Sequence, residues 1–319
     1  MDFILGQPVE FEESLTCEFK EVKGGSPVQT IGKSVDEYAV AFLNARGGSI
    51  YWGIRDSDRV VVGLELPDSK RDELRQVVGQ KVAAIAPPIP PDVITLPFHP
   101  VLSADAHDTQ ATDLFVVEVS VQAPEQPGLY LTGGGEAYRK TLGGKKKLSG
   151  SELIASLFTQ LHQKQLSATK GAADMWGPLA DFMTSVTRRA ELVSPFLKGS
   201  RILWVDDIPG HTIYERTAFS ALGIGVDIAL SSEEASFMID RLRPDLIISD
   251  IRRGAKPRAG LEFLEQTRSH HISTPIIFYV GELDTRNPKP EGSFGITNVP
   301  SELFHLTFDV LERVRSHSG

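Results

Sequence analysis

Ala41-Phe42-Leu43-Asn44-Ala45-Arg46-Gly47-Gly48-Ser49-Ile50-Tyr51-Trp52-Gly53-Ile54 reads as the end of a helix, a glycine turn and a strand. Upstream, Ile31, Val35, Tyr38, Ala39 and Phe42 recur at helical spacing, which predicts one helix from about Val28 to Leu43. Asn44 to Gly48 supply residues tolerant of the left-handed conformation that ends a helix. Ser49 to Ile54 is aromatic and β-branched, hence a strand. Arg55 to Asp58 turns the chain, and Arg59 to Leu64 is expected back as its hairpin partner. Before the helix, Thr16 to Lys20 is read as another strand, whose period of two puts Glu18 and Lys20 on one face and Cys17 and Phe19 on the other. Two carboxylates, Glu13 and Glu18, beside the Lys20 ammonium are the donor set that holds a divalent cation against a phosphate. The same three residues also suit an ordinary solvated ion pair.

Further on, Asp72 to Ala86 is helical, Val93 to Phe98 and Leu114 to Val121 are strands, and Ala137 to Thr141 is a short basic strand. Lys145-Lys146-Lys147, after Gly143-Gly144, reads as a solvated loop, and a capped helix runs to about Gln165. Residues 1–165 are thus expected to form an α+β domain on a mixed sheet. Residues 166–199 form a connector in which Trp176, Leu179, Met183, Val186, Ala190 and Val193 make an apolar stripe. Such a stripe packs on a neighbour or on its own copy; a homodimer through the 175–196 helix, or through the last domain, is the expected outcome. Residues 200–319 alternate apolar strands with amphipathic helices, the pattern of a doubly wound parallel α/β sheet. Its site belongs at the carboxyl ends of the strands, where Asp206, Asp207 and Asp250 fall.

Composition narrows the function classes. A chain of 319 residues with 41% hydrophobic and 24% charged residues is long enough for two folded domains. A net charge of −9 argues against bulk electrostatic coating of nucleic acid but leaves room for a local basic groove. The single Cys17 excludes an internal disulfide. No apolar run reaches the roughly 20 residues of a bilayer span, and no basic leader precedes an apolar run, so a soluble cytoplasmic protein away from the membrane is expected. His99, His107 and His162 show no metal-ligand spacing with Cys17.

Two resemblances extend this reading. Ile202-Leu-Trp-Val-Asp206-Asp207-Ile-Pro209, followed by Asp250 after an apolar strand, resembles a response-regulator receiver domain. That resemblance implies a magnesium ion on Asp206 and Asp207 and a phosphoacceptor at Asp250. It departs from the family at Val280, where a Ser or Thr is expected, and at Val299, where a Lys precedes Pro300; Ile251-Arg252-Arg253 is also unusually basic. A degenerate receiver used for docking or assembly is therefore expected. Glu13-x4-Glu18-Phe19-Lys20, the 41–54 stretch, Val61-Val62-Gly63-Leu64 and Ala137-Tyr138-Arg139 resemble the Schlafen-type AlbA-like domain. Its members bind nucleic acid, and in animal Schlafen proteins the fold carries an endoribonuclease with two Glu and one Asp.

Carried over, those acids are Glu13, Glu18 and Asp56, with Asp58 as the alternative to Asp56, holding Mg2+ or Mn2+, with Lys20 as the cation beside the scissile phosphate. Arg139, Lys140, Lys145, Lys146 and Lys147 would seat neighbouring phosphates, and Arg46 would reach a phosphate or cap its helix. The resemblance thus implies a metal-dependent nuclease directed at RNA in preference to DNA, and leaves open a non-catalytic DNA-binding regulator.

Overall fold

The computed structural model describes residues 2–24, 26–103, 110–124, 128–168, 179–283 and 289–316. It divides at 149/150 into two compact units. His107 and Trp176, named above, lie outside the described residues.

The first unit is built on one long strand, β7 (Gln110–Val121), which reaches four neighbours. Its partners are β3 (Gly48–Trp52), β4 (Leu64–Glu65), β5 (Ile94–Thr95) and β6 (Phe98–Leu102), all antiparallel to it. Outside these, β1 (Phe3–Ile4) runs parallel to β6 and β2 (Cys17–Lys20) parallel to β3. The mixed sheet expected from the sequence is present. Helices α1 (Pro27–Gly32), α2 (Val35–Leu43) and α3 (Asp68–Ala83) pack on one face, burying Ile31, Tyr38, Phe42, Ile50, Trp52, Leu74 and Val119 among others. Each large apolar side chain so buried contributes about 1.5–3 kcal/mol. The opposite face carries a smaller core of Phe3, Val9, Phe19, Ile54, Val61, Val101 and Val116. A separate hairpin, β8 (Tyr138–Thr141) with β9 (Gly144–Lys147), packs against α2. Lys145 to Lys147, read as a loop, are its second strand.

Two local expectations change. The single helix over 28–43 is broken at Lys33-Ser34, because Gly32 and Ser34 are weak helix formers and α1 comes close against α3. A Cβ on Gly32 would stand 2.7 Å from Val77 Cγ1. The hairpin of 49–54 with 59–64 shrinks to the single bridge Ile54–Val61. Gly53 (φ +100) and Gly63 (φ +65) turn the chain out of register, and Leu64 crosses to pair with Phe115 of β7.

The second unit is a five-stranded parallel sheet in the order β11 (Gly225–Ala229), β10 (Arg201–Val205), β12 (Leu246–Ser249), β13 (Ile276–Tyr279), β14 (Gly295–Thr297). Helices α6 (Ile213–Ala221), α7 (Ser232–Leu242), α8 (Ala259–Ser269) and α9 (Pro300–Ser316) connect and flank it, as a doubly wound sheet requires. Ser231 caps α7 by accepting from Glu234 N.

Two further helices belong to this unit. α4 (Gly150–Ala168), expected to close the first domain at 165, packs instead on α6 and α9. The reason is apolar: Leu157, Phe158 and Leu161 are fully buried, and the Phe158 ring meets Phe304 of α9 at 5.7 Å. α5 (Leu179–Leu197) lies along α9, burying Phe182, Val186, Ala190, Val193 and Leu197. Arg189 of α5 bonds Asp309 at 2.8 Å and Glu312 at 2.6 Å, and Ser185 meets His305 at 3.0 Å. Of the stripe expected to make a homodimer, Val186, Ala190 and Val193 are thus covered within the same chain.

Candidate functional site

Strand parity positions the first site. Glu18 and Lys20 leave β2 on the face toward α2, while Cys17 and Phe19 leave on the other. The Glu18 side chain is only 2% exposed, and that of Lys140, on β8, is 0% exposed. Lys140 Nζ lies 2.9 Å from Glu18 Oε2 as an ion contact without hydrogen-bond direction; its directed bond, 2.7 Å, goes to the Thr141 carbonyl. Lys20 Nζ lies 2.9 Å from Glu18 Oε1, and the Tyr38 hydroxyl donates to the same oxygen at 3.3 Å. Burial, then the charge of Glu18, pushes the Tyr38 phenol well above its usual value. For Lys20 burial acts to lower the pKa, but the bond and charge of Glu18, followed by Asp56, prevail and raise it.

Hairpin β8–β9 lies over this carboxylate. Gly144 (φ +115) comes so near that a Cβ there would sit 3.5 Å from Glu18 Oε1. Antiparallel pairing matches Arg139 with Lys146 and Lys140 with Lys145. Alternation then turns Lys140 inward to Glu18 and leaves Arg139 and Lys146 exposed on the outer face. Lys145 also turns inward, 3.0 Å from Glu37 and 4.1 Å over the Tyr38 ring. Lys147 pairs with Glu136. Of the five basic residues expected to seat phosphates, Lys140 and Lys145 are therefore structural. Arg46 is exposed at the turn after α2, whose Asn44 fixes the start of β8 by donating to Tyr130 O (2.8 Å) and Tyr138 O (2.9 Å).

The acids implied to hold Mg2+ or Mn2+ are otherwise engaged. Glu13 Oε1 accepts from Phe19 N at 2.9 Å, closing the turn into β2. Asp56 stands at the surface with Oδ2 3.7 Å from Lys20 Nζ. Glu18 already faces two ammonium groups. Among the described residues no three His, Cys, Asp or Glu are grouped to hold a metal ion, so this set, as arranged, does not fit one. Cys17, on the opposite face, has its thiol pushed up to about 12 by burial and then by Glu13, which keeps it unreactive.

The second cluster lies at the carboxyl ends of β10 and β12. Asp206 accepts from Ile208 N (2.8 Å) and Thr212 Oγ1 (3.0 Å), Asp207 from Gly254 N (2.7 Å), and Asp250 from Ile251 N (2.6 Å). Burial raises the Asp250 carboxyl above its usual range against those backbone donors. These three acids likewise fail to make a metal-holding group. Val280 and Val299 occupy the places of the hydroxyl and the ammonium in a receiver, and Val299 is buried. Tyr279, just before Val280, donates at 2.7 Å to the buried Glu215 of α6, which also pairs with Lys164 of α4.

Sequence reading did not anticipate Tyr38, the inward turn of Lys140, or Glu215 with Tyr279. A period-2 reading of Tyr138 to Thr141 would have separated Arg139 from Lys140.

Residues 13–149 match the family model described as Schlafen, AlbA_2. The chain is also 29% identical over 119 residues to the transcriptional regulatory protein TrcR of Mycobacterium tuberculosis, covering 37% of this chain and 44% of that one. It therefore spans under half of that relative. Similar solved structures are receiver domains. The receiver domain of Francisella response regulator 1452 has 24% identity, a TM-score of 0.32, and coverage of 37% of this chain and 99% of that one. The Vibrio parahaemolyticus signal receiver domain of a Luxo repressor protein has 19% identity, a TM-score of 0.34, and coverage of 37% and 95%. Among the described residues no helix is long and apolar enough to cross a membrane.

Proposed function

We propose that this chain is a nucleic-acid-binding regulator whose first unit grips the phosphate backbone without cutting it and whose second unit serves docking or assembly. One observation carries the reading. The acid at the centre of the candidate site, Glu18, is spent on anchoring hairpin β8–β9 through Lys140, and the outward residues of that hairpin are Arg139 and Lys146. A buried carboxylate enclosed by two ammonium groups is a poor metal ligand and a good structural pin. Exposed guanidinium and ammonium groups on a fixed hairpin make sequence-blind phosphate contacts. The match to the Schlafen AlbA_2 model supports nucleic acid as the ligand class, and the likeness to a transcriptional regulatory protein supports a regulatory setting.

Fluorescence anisotropy with labelled duplex DNA, single-stranded RNA and tRNA tests this. Binding by the wild type that is lost in Arg139→Glu/Lys146→Glu is the expected result. No binding to any of the three, or binding indifferent to that double substitution, defeats the proposal.

A further inference from the structure

Between α3 and β5 the first unit holds a half-open cavity of about 420 Å3, within the size range of small-molecule sites. Val78 and Val82 of α3, Ile85 and Ile89 of the connecting segment, and Ile94 and Leu96 in and after β5 make its walls apolar. Those walls are held by bonds to other parts of the unit. Ala86 exchanges backbone hydrogen bonds with Leu131 at 3.0 and 2.7 Å, Gln122 N donates to the Val93 carbonyl at 2.8 Å, and β5 is paired to β7. Between these anchors runs Pro87-Pro88-Ile89-Pro90-Pro91, whose four prolines fix φ and offer no N–H for pairing. The segment is stiff, and the cavity beside it is preformed.

Two residues say what the cavity would hold. Gly79 lies inside the 16-residue α3, where glycine weakens a helix. Its φ is not left-handed, and a Cβ there would meet nothing within 4 Å, unlike Gly32 against Val77. Neither backbone conformation nor close packing asks for glycine at this place; its effect is to leave the cavity wall without a side chain. Arg75 alone is charged among the described residues that line the cavity. Its guanidinium lies 4.9 Å from the centroid of the Phe98 ring, and Nη1 donates to Asp72 Oδ1 at 2.6 Å. That pair is exposed on both sides, hence weak, and it uses one of five donors. The planar fork can take an anion bidentately at the cavity edge.

We infer that this cavity is a binding site for a small molecule with an apolar body and a single anionic group, the body against the valine, isoleucine and leucine walls and the anion on Arg75. The site shares no residue with the Glu18–Lys140 arrangement or with the outward face of β8–β9, so it stands or falls apart from nucleic-acid binding.

Isothermal titration of the full chain with decanoate, below its micellar concentration, tests the inference beside Gly79→Leu and Arg75→Gln. Decylamine, with the same tail and the opposite charge, is the control ligand. The expected result is one saturable decanoate site in wild type, weaker by roughly tenfold in Gly79→Leu, where leucine fills the open space, and by about fivefold in Arg75→Gln. Decylamine should bind more weakly than decanoate, and hydrogen exchange should show decanoate protecting peptides that span 75–96. No saturable site in wild type, equal affinity for the two ligands, protection confined to other peptides, or wild-type affinity in Gly79→Leu overturns the inference. If circular dichroism shows Gly79→Leu to be unfolded, Arg75→Gln, a change at an exposed position, decides: unaltered decanoate affinity there overturns it.

Discussion

Replacing Lys140 by Met removes the charge that pins the basic hairpin and keeps most of the apolar stem. Glu18 would be left 2% exposed with its Oε2 facing no cation. Removing one partner of a buried pair costs about 3–5 kcal/mol. Lys20 still approaches Oε1 at 2.9 Å from a side chain that is 31% exposed, which places the expected loss at the lower end, about 3 kcal/mol. The surface pair of Lys147 with Glu136 is worth about 0–1 kcal/mol and does not compensate. Hydrogen exchange followed by mass spectrometry reads the effect locally in peptides spanning 138–147. At about 1.4 kcal/mol per tenfold, protection there should fall on the order of 100-fold. Adding Glu18→Gln should restore at least half of that loss in free energy, because the orphaned charge is gone. Protection within threefold of wild type for Lys140→Met, or no recovery in the double variant, would refute the pinning role of Glu18.

The milder Arg139→Gln/Lys146→Gln, which removes the charges without reversing them, should reduce the slope of log affinity against log salt by about two, one phosphate contact per residue, in anisotropy titrations across potassium chloride concentrations. Lys20 has a pKa raised above its ordinary 10.5, so its stabilising pair with Glu18 is fully present below that pH and is lost as pH rises through the raised value. Urea unfolding midpoints should accordingly fall more steeply at alkaline pH in wild type than in Lys20→Met. Phe182→Ala, which empties a site against Phe158 and His162, should cost about 3–5 kcal/mol in unfolding of the second unit. Because Val186, Ala190 and Val193 of α5 are buried within the same chain, the mass measured by sedimentation should be the same for that variant as for wild type.

Much of the architecture could be read from periodicity. In the second unit the apolar runs of β10, β12 and β13 are local signals that agree with the fold, so the alternation of strands and helices was legible. In the first unit the strand pairing of β4 and β5 depends on β7, a partner distant in sequence, and on the turns at Gly53 and Gly63, which no local pattern discloses. The candidate site was legible as a set of residues but not as an arrangement. Glu13, Glu18, Lys20 and Asp56 do gather near β2, yet whether a carboxylate faces a metal or an ammonium is decided by which side of β8 faces inward. That depends on a hairpin at residues 138–147 docking on α2, more than 100 residues from Glu18. The α5 stripe shows the same limit: its apolarity announced a partner, and only the tertiary contact with α9 tells which one.

The most direct test follows cleavage and retention together. End-labelled tRNA and duplex DNA are incubated with wild type, Glu13→Ala and Lys140→Met in Mn2+ or EDTA, then resolved on native and denaturing gels. The expected result is a retarded but intact nucleic acid with wild type and with Glu13→Ala in both conditions, and loss of retardation with Lys140→Met. Mn2+-dependent cleavage by wild type that disappears in Glu13→Ala would contradict the binding role and restore the acids to catalysis.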